Sequence, residues 1–140
     1  MEDHRRDLVV IAAGYEAQMR QFLQANPGLA SRIPRIVHFP GYTDDELITI
    51  FADMATEAGF HLADGVTERL SAILAGTPRG DDFGNARYVR NVLDGAIAAQ
   101  ALRITTTRPS SAEIRTLRPE DLPSAPVRPS ARDDVPGQYL

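Results

Sequence analysis

The readable pattern begins with a continuous apolar run, Leu8, Val9, Val10, Ile11, Ala12 and Ala13, which stops at Gly14. Its length and β-branched content predict a strand over residues 8–13, buried on both faces of a parallel sheet. Such a strand needs neighbours, and only a few residues precede it, so its parallel partners must come from elsewhere. An unpartnered apolar edge is also prone to aggregate, which makes an internal methionine of a longer protein one reading of Met1. Met19, Phe22 and Leu23 then recur at helical spacing, and Asn26-Pro27-Gly28 ends that helix through the residue-before-proline effect and a glycine exit. A second short apolar stretch, Ile36-Val37-His38-Phe39, ends at Pro40-Gly41 and predicts another strand.

From there the period becomes helical. Thr43-Asp44-Asp45-Glu46 has the form of a capping box, and Leu47, Ile50, Phe51 and Met54 make the apolar stripe behind it. Asp64 is placed to cap a further helix carrying Val66, Leu70, Ile73 and Leu74, which ends near Gly76-Thr77-Pro78. The longest amphipathic run starts around Asn85, with Val89, Val92, Leu93, Ala96, Ile97 and Ala101 on one face through about Ile104. The predicted order is strand, helix, strand and three helices, an α/β chain without internal repeats.

Composition narrows this picture. Six of the 10 prolines fall in residues 105–140, where apolar periodicity is weak, so the preceding residues must carry the packing. Within that tail, residues 117–123 can dock as one turn, and the remainder is expected to be unstructured. A net charge of −4 argues against a dedicated nucleic-acid binder, which would present a basic face to phosphates. No apolar run approaches the about 20 residues needed to span a bilayer, so no membrane partner is expected. The absence of cysteine excludes disulfides and thiolate metal sites and fits a reducing, cytoplasmic setting.

Candidate chemistry rests on arginine, because the sequence has no lysine at all. A phosphate-cradling Gly-x-x-x-x-Gly-Lys-[Ser/Thr] loop is therefore not encoded here. Gly84-Asn85-Ala86-Arg87 opens a helix, where free N–H groups and the positive dipole end favour an anion that Arg87 can grip with its fork. The same pattern is also compatible with Arg87 and Arg90 forming a solvated face. Residues 26–35 link helix to strand and present Arg32 and Arg35 on a loop bounded by Pro27 and Pro34. Arginines that reach phosphoryl oxygens of a neighbouring chain sit on loops of this kind, although loop arginines are common. His4, His38 and His61 lie in separate elements, and the acidic groups lack calcium-loop spacing, so no metal site is predicted.

Taken in order, residues 1–15, Asn26-Pro27-Gly28-Leu29-Ala30-Ser31-Arg32, Phe39-Pro40-Gly41-Tyr42 and residues 83–91 closely resemble AAA+ ATPases of the CbxX/CfqX type. That group includes red-type rubisco activase, stage V sporulation protein K and the cytosolic ATPase of type VII secretion. The resemblance spans about residues 1–104. It implies the C-terminal part of an AAA+ module: residues 1–42 as the last two core strands with one helix, residues 43–104 as a helical lid, and residues 105–140 as a Pro-rich disordered tail. It further implies that Arg32 is the arginine finger, acting on ATP held by the next subunit of a homo-oligomeric ring. Arg87 would be the sensor-2 arginine, with Tyr15 and Asn85 near the nucleotide. Tyr15 stands where many AAA+ enzymes carry a polar sensor-1 residue, which weakens that assignment. ATP and Mg2+ would be cofactors of the complete enzyme, with neither bound tightly by this chain alone, and a protein would be its client. The alternative is a non-catalytic helical interaction module, or a truncated subunit supplying its finger in trans to a P-loop-bearing partner.

Overall fold

A computed structural model of the protein describes residues 9–80, 83–106 and 109–124. These fall into two compact units divided between Pro40 and Gly41.

In the first unit, α1 spans Glu16–Ala25 and α2 spans Pro27–Ala30. Asn26 ends α1 and occupies the position before α2 without a side-chain cap bond to it, its amide instead donating back to the Phe22 carbonyl at 2.8 Å. Proline at the first position of α2 suits a turn where its missing N–H would have had no partner. The segment read as an open loop thus contains one helical turn. Glu16 accepts from Arg20 one turn later at 2.6 Å and lies 3.5 Å from His38 Nδ1.

The two apolar runs of this unit differ from expectation. Residues 9–13 and 36–40 have no regular secondary structure, and Val9, Ile11 and Phe39 are 85%, 88% and 85% exposed. Leu8 lies outside the described residues. The physical reason is the one the pattern itself contains: a strand is completed by ladder hydrogen bonds, and no described segment pairs with either run. Helix α1 shows the same incompleteness, since none of its residues is buried.

The second unit is helical and has a closed core. Helix α3, Asp44–Glu57, starts at the predicted capping box: Thr43 Oγ1 accepts from the Glu46 N–H, and the Glu46 carboxylate accepts from the Thr43 N–H at 2.8 Å. It ends in a Schellman turn, with the Phe60 N–H returning to the Ala55 carbonyl at 2.8 Å across Gly59, whose φ is +81°. Helix α4 spans Val66–Ala75 and α5 spans Ala86–Thr105. Asp64 does not cap α4. Gly65, at φ +87°, occupies the cap position and turns the chain without a side-chain bond. Leu47, Phe51 and Ala55 of α3 pack with Val66, Leu70, Ile73 and Leu74 of α4 and with Val89, Val92, Leu93 and Ala96 of α5.

The start of the predicted tail belongs to this core. Strand β2, Thr116–Leu117, pairs in parallel with β1, His61–Leu62, and Leu117 and Leu122 are buried. A 3₁₀ turn at Pro119–Asp121 is the docked turn anticipated from the sequence. Arg103 of α5 grips the Asp121 carboxylate through Nε and Nη2, both at 2.8 Å, and reaches the Thr116 carbonyl at 3.1 Å. Burial pushes the Asp121 carboxyl up, but the Arg103 fork and the Arg118 N–H outweigh it and hold the group below its ordinary range. Gln100 and Arg69 add bonds to the Ile114 and Pro123 carbonyls at 2.7 and 2.9 Å. Residues 125–140, the rest of the expected disordered tail, lie outside the described residues.

Because the folded state holds Asp121 more acidic than the unfolded chain does, its contribution is present above the ordinary carboxylate range and is lost as pH falls below about 4. Asp121→Ala leaves the Arg103 charge without its partner and should cost about 3 kcal/mol in denaturant unfolding at neutral pH, with a smaller difference from the parent near pH 3.

Candidate functional site

The segment that enters α5 converges with the segment that enters α3. Gly41, Tyr42, Arg79, Gly80, Phe83 and Asn85 line a shallow cleft of about 280 Å³, wholly within the helical unit. Arg79 lies over the Phe83 ring at 4.2 Å from its centroid, donates to the Tyr42 carbonyl at 3.3 Å and forms an ion pair with Asp44. Phe83 leans on Tyr88 with ring centroids 5.2 Å apart, and the Tyr88 hydroxyl shares a 2.9 Å hydrogen bond with Thr77 Oγ1. This chain of contacts fixes the base of the cleft on the buried end of α4.

Asn85 is the cap residue of α5 and the described non-glycine residue with a positive φ, at +48°. Its side chain faces inward on protein partners: Oδ1 accepts from the Tyr42 N–H at 3.0 Å and Nδ2 donates to the Phe83 carbonyl at 3.2 Å. What Asn85 leaves for a ligand is the start of the helix rather than its own amide. Arg87, in the first turn, is exposed and has no ion pair or side-chain hydrogen bond among the described residues. A methyl group at Gly84 would come within 3.3 Å of Arg87 Cβ and 3.9 Å of Cδ, so glycine there leaves room for the arginine stem. Arg90 is exposed on the same helix.

The other predicted residues belong to the first unit. Arg32 is exposed immediately after α2, its N–H donating to the Leu29 carbonyl at 3.0 Å. Tyr15 is 73% exposed and precedes α1, its carbonyl accepting from the Met19 N–H at 2.8 Å. The structure therefore brings Asn85 and Arg87 together on one helix start and places Arg32 and Tyr15 at the two ends of α1–α2. Among the described residues no group of three or more His, Asp or Glu side chains can hold a metal ion. No described helix is long and apolar enough to cross a membrane.

Tyr42 and Phe83 lie in motifs the sequence already marked, though without a role in a cleft, and Arg79 was not singled out. Arg79 follows the Gly76-Thr77-Pro78 helix exit, but nothing in periodicity points to a carbonyl 37 positions earlier.

Three helices closed by a short parallel strand pair make up the helical unit, and a segment with two helices, α1 and α2, precedes it in the sequence. The chain belongs to the AAA lid domain family, which matches residues 43–131. It is 38% identical over 117 residues to "Protein CbbX" of Cereibacter sphaeroides, covering 84% of this chain and 38% of that protein. It is 43% identical over 104 residues to a "Protein CfxQ homolog" of Galdieria sulphuraria, covering 74% of this chain and 34% of the relative. A chloroplastic "Ribulose bisphosphate carboxylase/oxygenase activase" of Cyanidioschyzon merolae is 38% identical over 125 residues, covering 87% and 43%. The resemblance to the CbbX/CfxQ group of AAA+ ATPases holds over most of the chain, which spans less than half the length of these relatives.

If Arg87 is held for a ligand and not for packing, Arg87→Ala should change unfolding free energy by no more than about 0.5 kcal/mol, the range of an unengaged surface site. Chemical denaturation of the variant beside the parent measures this directly.

Proposed function

We propose that this chain supplies the end of the core and the lid of an AAA+ ATPase that couples ATP hydrolysis to remodelling of a protein client. The observation that carries the reading is Arg87: an exposed guanidinium without a partner among the described residues, on the first turn of a helix anchored by a full apolar face. Such a group is a poor contributor to stability and sits at the dipole end that disfavours a cation, so it is best accounted for by an anion.

In this reading residues 1–42 complete the core, and the lid starts at residue 43. Arg87 contacts the nucleotide bound by its own subunit as sensor 2. Arg32 reaches the transferring phosphoryl group on the next subunit of a homo-oligomeric ring, where a guanidinium stabilises charge developing on the phosphoryl oxygens. The α5 start around Asn85 lies beside the phosphates, and Tyr15 follows the sensor strand. ATP with Mg2+ is the cofactor; the residues here fit one wall of its site, the cationic wall, while the phosphate cradle and the magnesium carboxylates belong to P-loop-bearing sequence. The apolar runs at 9–13 and 36–39 would complete a parallel sheet with that sequence. The setting we assign is cytoplasmic, on the cysteine-free composition.

The lysine-free sequence favours one second reading, a non-catalytic subunit that lends Arg32 in trans to a complete ATPase. Both readings are tested by mixing the purified chain with a P-loop-bearing relative of the CbbX type. The chain alone should show no ATP turnover. Stimulation of the relative that disappears with Arg32→Ala supports a finger, whose removal costs about 10³-fold in comparable sites. Association without any change in rate points to an adaptor, and robust turnover by the chain alone would overturn both.

A further inference from the structure

The cleft residues do something distinct from meeting a ligand. The backbone of Tyr42 is held on both sides of its Cα. Its N–H donates to Asn85 Oδ1 at 3.0 Å, and its carbonyl accepts from Arg79 Nη1 at 3.3 Å. Both holding residues lie between the end of α4 and the start of α5. The held residue is the second of the helical unit and the last before the Thr43 cap of α3. Arg79 also pairs with Asp44 in the first turn of α3, so it grips that entrance at two successive places.

Several features mark this as a fitted device. Asn85 adopts φ +48° and ψ −118°, a conformation that side-chain-bearing residues rarely occupy, and it persists here with both ends of its amide engaged. Backbone strain of this kind persists where its surroundings hold it. Gly41 fits the same contact: a Cβ there would approach Asn85 Oδ1 to 3.2 Å, so a side chain would press on the acceptor of the Tyr42 N–H. Tyr42 is itself 47% exposed, so the clamp acts on its backbone and does not serve to bury its ring.

We infer that Arg79 and Asn85 are positioning residues that clamp the backbone of Tyr42 and so fix the course of the chain as it enters α3. When Asn85 leaves its strained conformation, Oδ1 withdraws from the Tyr42 N–H and the entrance to α3 loses one of its two anchors. The device is mechanical and belongs to the helical unit. It stands whether or not Arg87 meets a nucleotide, and it assigns Asn85 a role that its inward-facing amide favours.

Residue-resolved amide hydrogen exchange on the full 140-residue chain tests it. In the parent, the Tyr42 amide should exchange at least several-fold more slowly than its intrinsic rate. Asn85→Ala should accelerate it by about fivefold to tenfold, the factor of one ordinary hydrogen bond. Asn85→Asp, which keeps an oxygen acceptor and tolerates positive φ, should restore most of the protection. Arg79→Ala should accelerate Tyr42 less than Asn85→Ala does, because it removes the carbonyl anchor. Throughout, core amides such as those of Phe51 and Val92 should keep their parental rates. A Tyr42 amide unprotected in the parent, one indifferent to Asn85→Ala, or one that accelerates only together with the core amides would overturn the clamp.

Discussion

The packing of α5 across α3 is the interaction on which the rest depends. Leu47, Phe51 and Ala55 on one side and Val89, Val92, Leu93 and Ala96 on the other are buried together, and every functional candidate of the helical unit is positioned by the ends of these two helices. A helix docked along its apolar stripe has a fixed rotation, so its first turn must present Arg87 to solvent once Tyr88 and Val89 point inward. The Tyr88 hydroxyl then finds Thr77, Phe83 leans on the Tyr88 ring, and Arg79 covers Phe83. Burial at one end of the helix is thereby converted, contact by contact, into a defined geometry at the entrance to the other.

The two units contrast in how far their sequences satisfy them. The helical unit closes on itself: it has its strand pair, its Arg103–Asp121 pair and the capping box of α3, and no buried side-chain polar atom lacks a partner among the described residues. The first unit contains a helix without a buried face and two β-branched runs without a ladder. In the proposed reading as the end of an AAA+ core, a neighbouring sheet would supply both the ladder and the burial.

Much of the fold was legible because it is written in local chemistry. The Thr43 box, the stripes of α3, α4 and α5 and the Gly76 exit of α4 depend on residues within a turn or two of each other, and the structure contains each of these elements, whereas Gly28, expected as an exit, lies inside α2. What was not legible is non-local. Asp64 has the right chemistry for a cap, yet Gly65 takes a left-handed conformation that turns the chain into α4 without it. Arg103 and Asp121 are 18 residues apart and belong to no motif, so the attachment of the early tail to α5 was invisible beyond the turn at residues 117–123. The arginine roles came from motif resemblance, while the inward commitment of the Asn85 amide and the Arg79 grip on Tyr42 came only from the folded geometry.

The central claim is that the helix start carrying Arg87 is built to meet a nucleotide held by P-loop-bearing sequence. The most direct measurement replaces the corresponding C-terminal part of a CbbX-type relative with this whole chain and follows ATP turnover of the chimera. The account predicts turnover that falls at least about tenfold with Arg87→Ala, a loss of one charge-assisted contact, while the fold is unchanged. A folded, active chimera whose turnover is indifferent to Arg87→Ala would contradict it.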